Sequence, residues 1–214
     1  MKNEKDQLEA LQDIRKMMQD SSKFLSLSGL SGVLAGCYAL IGAYLGHLAI
    51  HQFNAGYPRG CDSFQADYVH LVQRILLICG SVLALSIITA LLLSKSKAKK
   101  TNQKLFDHSS KKLFWSMFVP LFTGGLFCLA LVYHGNGLIM LVSPVMLIFY
   151  GLALIASSKF TIHDVKYLGY LEVLLGLLAS FFLGSGLIFW ALGFGVLHII
   201  YGSIMWYKYD RTIK

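Results

Sequence analysis

Two polar residues, Glu172 and His198, interrupt an almost wholly apolar stretch of the chain, residues 169–202. Glu172 lies 13 residues before Ser185, the centre of a predicted Gly-Ser-Gly turn, and His198 lies 13 residues after it. If the stretch folds as a helical hairpin, both side chains lie about 20 Å from the turn, at the same depth. A carboxyl and an imidazole at one depth are able to share a hydrogen bond or pass a proton.

Three roles are open for this pair of residues. A carboxylate without a partner inside a membrane costs a few kcal/mol, so we expect Glu172 to be protonated or paired and to face the bundle interior. In a structural role, a hydrogen-bonded contact with His198 fixes the register of the hairpin. In a functional role, the two residues form a proton relay or a substrate-binding site. In the remaining role, Glu172 faces lipid or another subunit.

A second group of residues with ligand chemistry lies near one boundary of the apolar segments. Two of its histidines are four residues apart and would share a helix face. Such a pair with a third ligand can hold zinc, and two histidines from different helices can hold haem iron. The alternative is a set of interfacial side chains that bind nothing, and we expect no resident cofactor. The members of this candidate ligand cluster are His47, His51, His70, Arg74 and His134.

Apolar helices are the elements that have to position these residues. The chain has 214 residues, 56% hydrophobic and 14% charged, with a mean hydropathy of +0.60. Soluble domains are closer to a quarter charged, so this chain has too few charges to make a polar shell. Its apolar segments are long enough for a helix to cross a hydrocarbon core of about 30 Å. The six predicted spans are about 26–50, 71–93, 113–133, 138–157, 166–184 and 187–207.

The sequence therefore predicts an all-α fold, a polytopic membrane protein. Residues 24–214 would form a six-transmembrane-helix bundle of three consecutive helical hairpins, because a helix satisfies every backbone polar group within its own segment. Residues 1–23 have apolar positions at helical spacing and predict an amphipathic cytoplasmic helix. Its charges nearly balance, which favours packing under the bundle or against a partner over adsorption to anionic lipid.

The cationic residues fall on one side of these predicted spans. Seventeen of the 19 Lys and Arg residues lie at the termini, in the second and fourth connections, or at the adjoining helix starts. The positive-inside rule then puts both termini in the cytoplasm, so the net charge of +8 reflects topology and not nucleic-acid binding. The second connection, residues 94–112, is a solvated loop or a contact for anionic lipid. The lysines available for that contact are Lys95, Lys97, Lys99, Lys100 and Lys104.

Small residues suggest how the helices pack. In the first span they recur every four residues at Ser28, Gly32 and Gly36, which predicts close helix packing inside the chain, or a dimer face as the alternative. A weak internal repeat also makes the second and third hairpins two copies of one unit. Its residues are Gly125, Tyr150 and Gly151, which recur 51 positions later as Gly176, Tyr201 and Gly202.

The segment LQDIRKMMQDSSKFLSLSGLSGVLAG, residues 11–36, resembles a known opening. In uncharacterised six-span inner-membrane proteins of Bacteroidota, an Ile-Arg-x-Met-Met segment leads into a Ser-Leu-Ser-Gly-Leu-Ser-Gly first span. The resemblance implies a bacterial inner-membrane location. It assigns no catalytic or binding residue to this chain.

These observations favour a non-enzymatic integral membrane protein that acts through helix–helix or partner-protein contacts, or as a homo-oligomer. The cytoplasmic helix and the basic connection would then be its contact surfaces. The alternative is a small transporter or permease, proton-coupled through a buried pair of Glu172 and His198. A metal- or haem-binding membrane protein is the third hypothesis.

Overall fold

The structure is a computed structural model, and it describes Leu11 and residues 28–56, 64–100, 108–135 and 137–211. Apart from Leu11, the predicted amphipathic helix of residues 1–23 lies outside these residues, as does Lys104. Within the described part of the chain, the secondary structure is helical and contains no strand. The chain is therefore an all-α protein over these residues.

Six long helical elements make up the described chain, and each overlaps one predicted apolar segment. The fourth is preceded by a short 3-10 helix, Leu138–Leu141, and the sixth contains two π-helical stretches, Ala191–Leu197 and Trp206–Asp210. The helices are α1 (Gly29–Gly56), α2 (Phe64–Lys100), α3 (His108–His134), α4 (Val142–Ser157), α5 (Val165–Phe181) and α6 (Gly186–Asp210).

Five of these helical elements are long and apolar enough to cross a membrane. The remaining helix, α5, has 17 residues and is also mostly apolar. The described chain is thus built from helices of the length and composition found in membrane-embedded proteins. The connection predicted as a loop at 94–112 is helical over its described residues, because α2 continues to Lys100 and α3 begins at His108. Because lysine has a high helix propensity, α2 continues past the end of its apolar segment.

The helices pack in two groups. Helix α6 contacts α1, α4 and α5, and α4 contacts α5, and we call these four the inner helices. Helices α2 and α3 are the outer helices, because α2 packs mainly on α1 and α3 mainly on α4. Helices α1 and α6 run antiparallel, because Gly29 lies beside Gly202 and Gly36 lies beside Gly195. Helices α4 and α6 run parallel, because Ser143 lies beside Gly186 and Tyr150 beside His198.

Backbone-to-backbone contact at glycines joins the inner helices. A Cβ atom added to Gly202 would lie 2.7 Å from the carbonyl oxygen of Gly29, and one added to Gly36 would lie 2.7 Å from that of Gly195. Small residues permit such close approach between helices in lipid. The predicted packing of the small residues in the first span is therefore observed inside the chain, between α1 and α6.

The second glycine contact joins α4 to α5. A Cβ atom added to Gly151 would lie 2.6 Å from the carbonyl oxygen of Gly169, and the reciprocal distance is 2.7 Å. A Cβ atom added to Gly176 would lie 2.9 Å from the carbonyl oxygen of Pro144. This tight crossing holds the middle of α5, where Glu172 lies, directly against α4.

Hydrogen bonds to Asp210 tie three helices together at one end of the molecule. Its carboxylate accepts hydrogen bonds from the Ser28 hydroxyl at 3.0 Å and the Gly29 backbone N–H at 2.9 Å, which caps the start of α1. Its other oxygen lies 2.6 Å from the Lys97 ammonium of α2. We call the end of the bundle that holds these residues, together with Asp164, the basic end.

Candidate functional site

Glu172 lies in the middle of α5 and is completely buried. Its carboxyl group packs against the backbone of α6, because Gly193 has no side chain there. A Cβ atom added to Gly193 would lie 2.6 Å from Glu172 Oε2, and Leu147 of α4 and Leu175 of α5 adjoin the same point. Leu147 is itself fully buried, so apolar side chains exclude water from this carboxyl group.

His198 is held by two hydrogen bonds that identify its protonation. Its Nδ1 lies 2.9 Å from the backbone carbonyl oxygen of Gly193, and its Nε2 lies 2.7 Å from the hydroxyl of Tyr150. A carbonyl oxygen only accepts hydrogen bonds, so Nδ1 carries the proton and donates it. In the neutral imidazole, Nε2 is then the acceptor, and Tyr150 donates its hydroxyl proton to it.

The predicted pair comes together, but not as a hydrogen-bonded contact. Glu172 Oε1 lies 3.4 Å from His198 Nδ1, close enough for electrostatic attraction if the imidazole is protonated. The Nδ1 proton is already donated to Gly193, and within the described residues neither oxygen of Glu172 has a hydrogen-bond partner. A structural contact would satisfy its polar atoms, since an unpaired buried polar group costs about 1–3 kcal/mol.

The local backbone explains this arrangement. Residues Ala191–Leu197 form a π-helical stretch that ends directly before His198. Such stretches are rare and often occur at functional sites. The imidazole of His198 reaches back five residues to the carbonyl oxygen of Gly193, and the missing side chain at that glycine leaves room for Glu172. One residue of α6 therefore both orients the imidazole and admits the carboxyl group.

Aromatic rings cover the site on the side of α4 and α6. The Phe194 ring stacks on His198 with centroids 5.9 Å apart, and it contacts Tyr150 at 5.0 Å and Trp190 at 5.4 Å. Sequence reasoning missed Tyr150 and Gly193 as members of the site. The recurrence of Tyr150 as Tyr201 was the available signal, because a tyrosine inside an apolar helix needs a partner for its hydroxyl.

A second polar cluster lies where α5 meets the end of α6. Asp164, just before α5, accepts hydrogen bonds from the Lys208 ammonium at 2.6 Å and the Tyr209 hydroxyl at 3.1 Å. The hydrogen bond from Lys208, followed by the one from Tyr209, holds the pKa of the Asp164 carboxyl below its ordinary value. Asp164 is thus an anionic group at the basic end, and its side chain is 28% exposed.

The predicted ligand cluster does not assemble as a metal site. All five of its members are exposed, and contact between them is seen for His47 and His51, whose ring centroids lie 6.3 Å apart. Among the described residues, no group of three or more His, Cys, Asp or Glu side chains is placed to hold a metal ion. Its other members are His70, Arg74 and His134, and the His134 ring contacts Tyr133.

The predicted lipid-binding lysines have different surroundings. Lys97 is paired with Asp210 and is partly buried, so its ammonium serves a contact within the chain. Lys95 and Lys99 are exposed on the last turns of α2. Contact of these two lysines with anionic lipid stays a prediction, as it does for Lys100 and Lys104, whose side chains lie outside the described part.

The fold defines a class: an all-helical protein with several helices suited to a membrane, and a buried carboxyl group where the inner helices meet. Comparison of the chain with known protein families, with curated proteins and with solved structures found no match.

Proposed function

We propose that this chain is a six-span integral protein of the bacterial inner membrane with both termini in the cytoplasm. Five helices of spanning length and an apolar α5 support six crossings. The cationic residues support the orientation, because they concentrate on the side of the termini. The basic end would then face the cytoplasm.

We further propose that the inner helices form a small proton-coupled transporter, with Glu172 as the group that binds and releases the proton. One observation carries this proposal: Glu172 is completely buried, yet neither of its oxygens has a hydrogen-bond partner among the described residues. An apolar side chain there would cost less if the role were only structural. Ionisable residues inside membrane helices commonly mark ion and substrate pathways.

The neighbouring imidazole allows the site to change charge. In one state, Glu172 is protonated and the neutral His198 accepts from Tyr150. In a second state, Glu172 has lost its proton and His198 has gained one at Nε2, the nitrogen that carries no proton in the neutral imidazole, and the resulting ion pair forms across the 3.4 Å between Oε1 and Nδ1. Loss of that proton to solvent leaves a buried negative charge, which an open conformation or a bound cationic solute would have to stabilise.

Transient currents from vesicles test this proposal without knowledge of the solute. Purified protein in lipid vesicles is adsorbed to a capacitive electrode, and the pH outside is changed rapidly. We expect a transient current from wild-type protein, because proton binding at the depth of Glu172 moves charge within the membrane. We expect no such current from Glu172→Gln, which keeps the size of the side chain and removes its titration.

The matched control for this experiment is Asp67→Asn, which removes a carboxylate at the start of α2. It should keep the wild-type current. A current of wild-type size in folded Glu172→Gln protein would reject the proposal. If the current depends on Glu172, sustained currents after addition of amino acids, organic acids or cationic metabolites, one class at a time, identify the solute class.

A second function, action through a partner protein in the membrane, is favoured by a different observation. The most apolar 18-residue window of α2 has no buried residue. Two single variants, Leu83→Cys on α2 and Leu129→Cys on α3, each in a background without the native cysteines, test this function. If Leu83→Cys protein cross-links at low protein-to-lipid ratio and Leu129→Cys protein does not, the result supports self-association through α2.

A further inference from the structure

We infer that Glu172 exchanges its proton with the basic end of the bundle along Tyr150 and Tyr201, and this inference rests on the proposed function. The inference concerns the path of the proton, which the transient-current experiment does not address. It is carried by a line of polar side chains that leads from the middle of α5 to the exposed residues around Asp164.

The first part of this line is the hydrogen-bonded contact between His198 and Tyr150. The 2.7 Å distance between Nε2 and the tyrosine hydroxyl is short enough for direct proton transfer. By sequence, Tyr150 is the one titratable residue of α4. Two titratable groups from the helices packed against α5 thus belong to the site: His198 of α6, which lies 3.4 Å from Glu172, and Tyr150 of α4, which is hydrogen-bonded to His198.

Tyr201 continues the line toward the basic end. It lies three residues after His198 on α6, which is nearly one helical turn. Its hydroxyl is buried and has no hydrogen-bond partner among the described residues. It packs against the same buried cluster as Tyr150 and Tyr209, and along α6 it lies between His198 and Tyr209. An unpaired hydroxyl between two hydrogen-bonded clusters is the position where one ordered water would connect them.

Asp164 and Tyr209 end the line at the surface. Tyr150, Tyr201 and Tyr209 all pack against one buried cluster, formed by Leu154, Ile162, Val165, Leu168 and Met205. Tyr209 donates its hydroxyl hydrogen bond to Asp164, whose carboxylate is partly exposed. Three tyrosines thus pack against one apolar cluster, and the hydroxyls of Tyr150 and Tyr209 are hydrogen-bonded to His198 and Asp164.

Toward the opposite end, the side chains that adjoin Glu172 are apolar, and the buried indole N–H of Trp190 on that side is a donor that cannot accept a proton. Leu147 and Leu175 adjoin its carboxyl group, and Ala179 lies two turns further along α5 and is buried. Trp190 of α6 packs among aliphatic and aromatic side chains on that side. A proton moving that way meets no hydroxyl or carboxylate of α5 before Ser180, whereas the basic end offers Tyr150, Tyr201 and Asp164.

The transfer itself exchanges only O–H and N–H bonds. A proton from solvent binds Asp164, and each hydroxyl accepts a proton on its oxygen while giving its own to the next acceptor. Tyr150 gives its proton to Nε2 of His198. The Nδ1 proton then leaves its hydrogen bond to Gly193 and passes to Glu172, so His198 is neutral again with its proton on Nε2. No net charge remains on a tyrosine after transfer, and no oxidant or other reactant is needed.

Infrared spectroscopy after a rapid pH change tests this path. The carboxylic C=O band of protein in lipid vesicles is followed in time, and the band absent from Glu172→Gln is assigned to Glu172. In Tyr201→Phe we expect the rate at which this band rises to fall by a factor of about ten or more, because a positioned proton carrier is lost. The pH midpoint of the band should not change, since the Tyr201 hydroxyl has no hydrogen bond to lose.

Two further variants separate the possible results. Tyr133→Phe changes an exposed tyrosine at the other end of α3 and should match wild type. Asp164→Asn should also slow the rise of the Glu172 band, because the proposed path begins at Asp164. If the Glu172 band titrates and Tyr201→Phe rises at the wild-type rate, the path is wrong and the proposed function stands. If no band depends on Glu172, both are wrong.

Discussion

The inner and outer helices have similar apolar composition but pack by different means. Between inner helices, glycines bring backbones together, as Gly151 meets the backbone of Gly169. At the outer contacts, glycines meet side chains: Gly42 of α1 faces the Val82 side chain of α2, and Gly124 of α3 faces the Phe149 ring of α4. The two groups therefore differ in the distance between backbones, not in hydrophobicity.

This difference bears on where a polar site can exist. Glu172 lies between inner helices whose backbones are close enough for Gly193 of α6 to contact its carboxyl group. In an 18-residue apolar window of each helix, the share of buried residues is 0% for α2 and 11% for α3, against 33% for α1. A carboxyl group on an outer helix would face lipid on most sides. Close backbone packing is thus what allows a buried ionisable group in this bundle.

The largest effect is expected from filling an inner contact. Gly176→Ala puts a methyl group 2.9 Å from the carbonyl oxygen of Pro144, so α5 has to move away from α4. We expect a loss of about 1–3 kcal/mol. That loss lowers the apparent unfolding temperature in detergent by about 2–4 °C per kcal/mol for a chain of this size.

The matched control is Gly125→Ala on the outer helix α3. Gly125 is the residue that the sequence repeat pairs with Gly176, yet an added Cβ there meets no atom within 4 Å. We expect no loss, because alanine favours helix over glycine by about 0.5–1 kcal/mol. Equal losses in the two variants would contradict the distinction between inner and outer contacts.

An intermediate effect is expected at Asp210, which ties outer helix α2 to the inner helices. Asp210→Asn removes the charge that attracts Lys97 but keeps an oxygen that can accept from Ser28 and the Gly29 N–H, so we expect a loss of about 1 kcal/mol. Lys97→Met removes only one of these contacts and should cost less. A double-mutant cycle with thermal unfolding measures their coupling, and a coupling energy of zero would show that this ion pair does not hold α2 to α6.

The smallest effect is expected at the more exposed ion pair of Asp164 and Lys208. Because the folded pKa of Asp164 is lowered, its contribution to stability is complete above the ordinary carboxyl pKa of about 3.9 and is lost as pH falls through the lower folded value. Asp164→Asn should lack this acid-dependent loss. Unfolding temperatures measured from neutral pH down to about 3 check it, and parallel curves for both proteins would contradict it.

The sequence predicted more of the helices than of the site. Helix positions followed from the apolar segments, and the meeting of Glu172 with His198 followed from equal distances to one turn. The hydrogen-bonded contact expected between them did not form, because Gly193 takes the imidazole proton. That acceptor is a backbone atom, and its availability depends on a π-helical stretch that no residue pattern identified.

The sequence alone determined that the described chain consists of apolar helices of membrane-spanning length. Its charges are too few to make a polar shell, and they are spaced so that long apolar segments remain between them. Which helices became inner and which outer was decided only in the tertiary structure. Lipid is as apolar as the side chains, so hydrophobicity does not select neighbours between helices. Close backbone approach at Gly36, Gly151 and Gly202 selects the neighbours instead. It brings an imidazole, a tyrosine hydroxyl and an unpaired carboxyl group together.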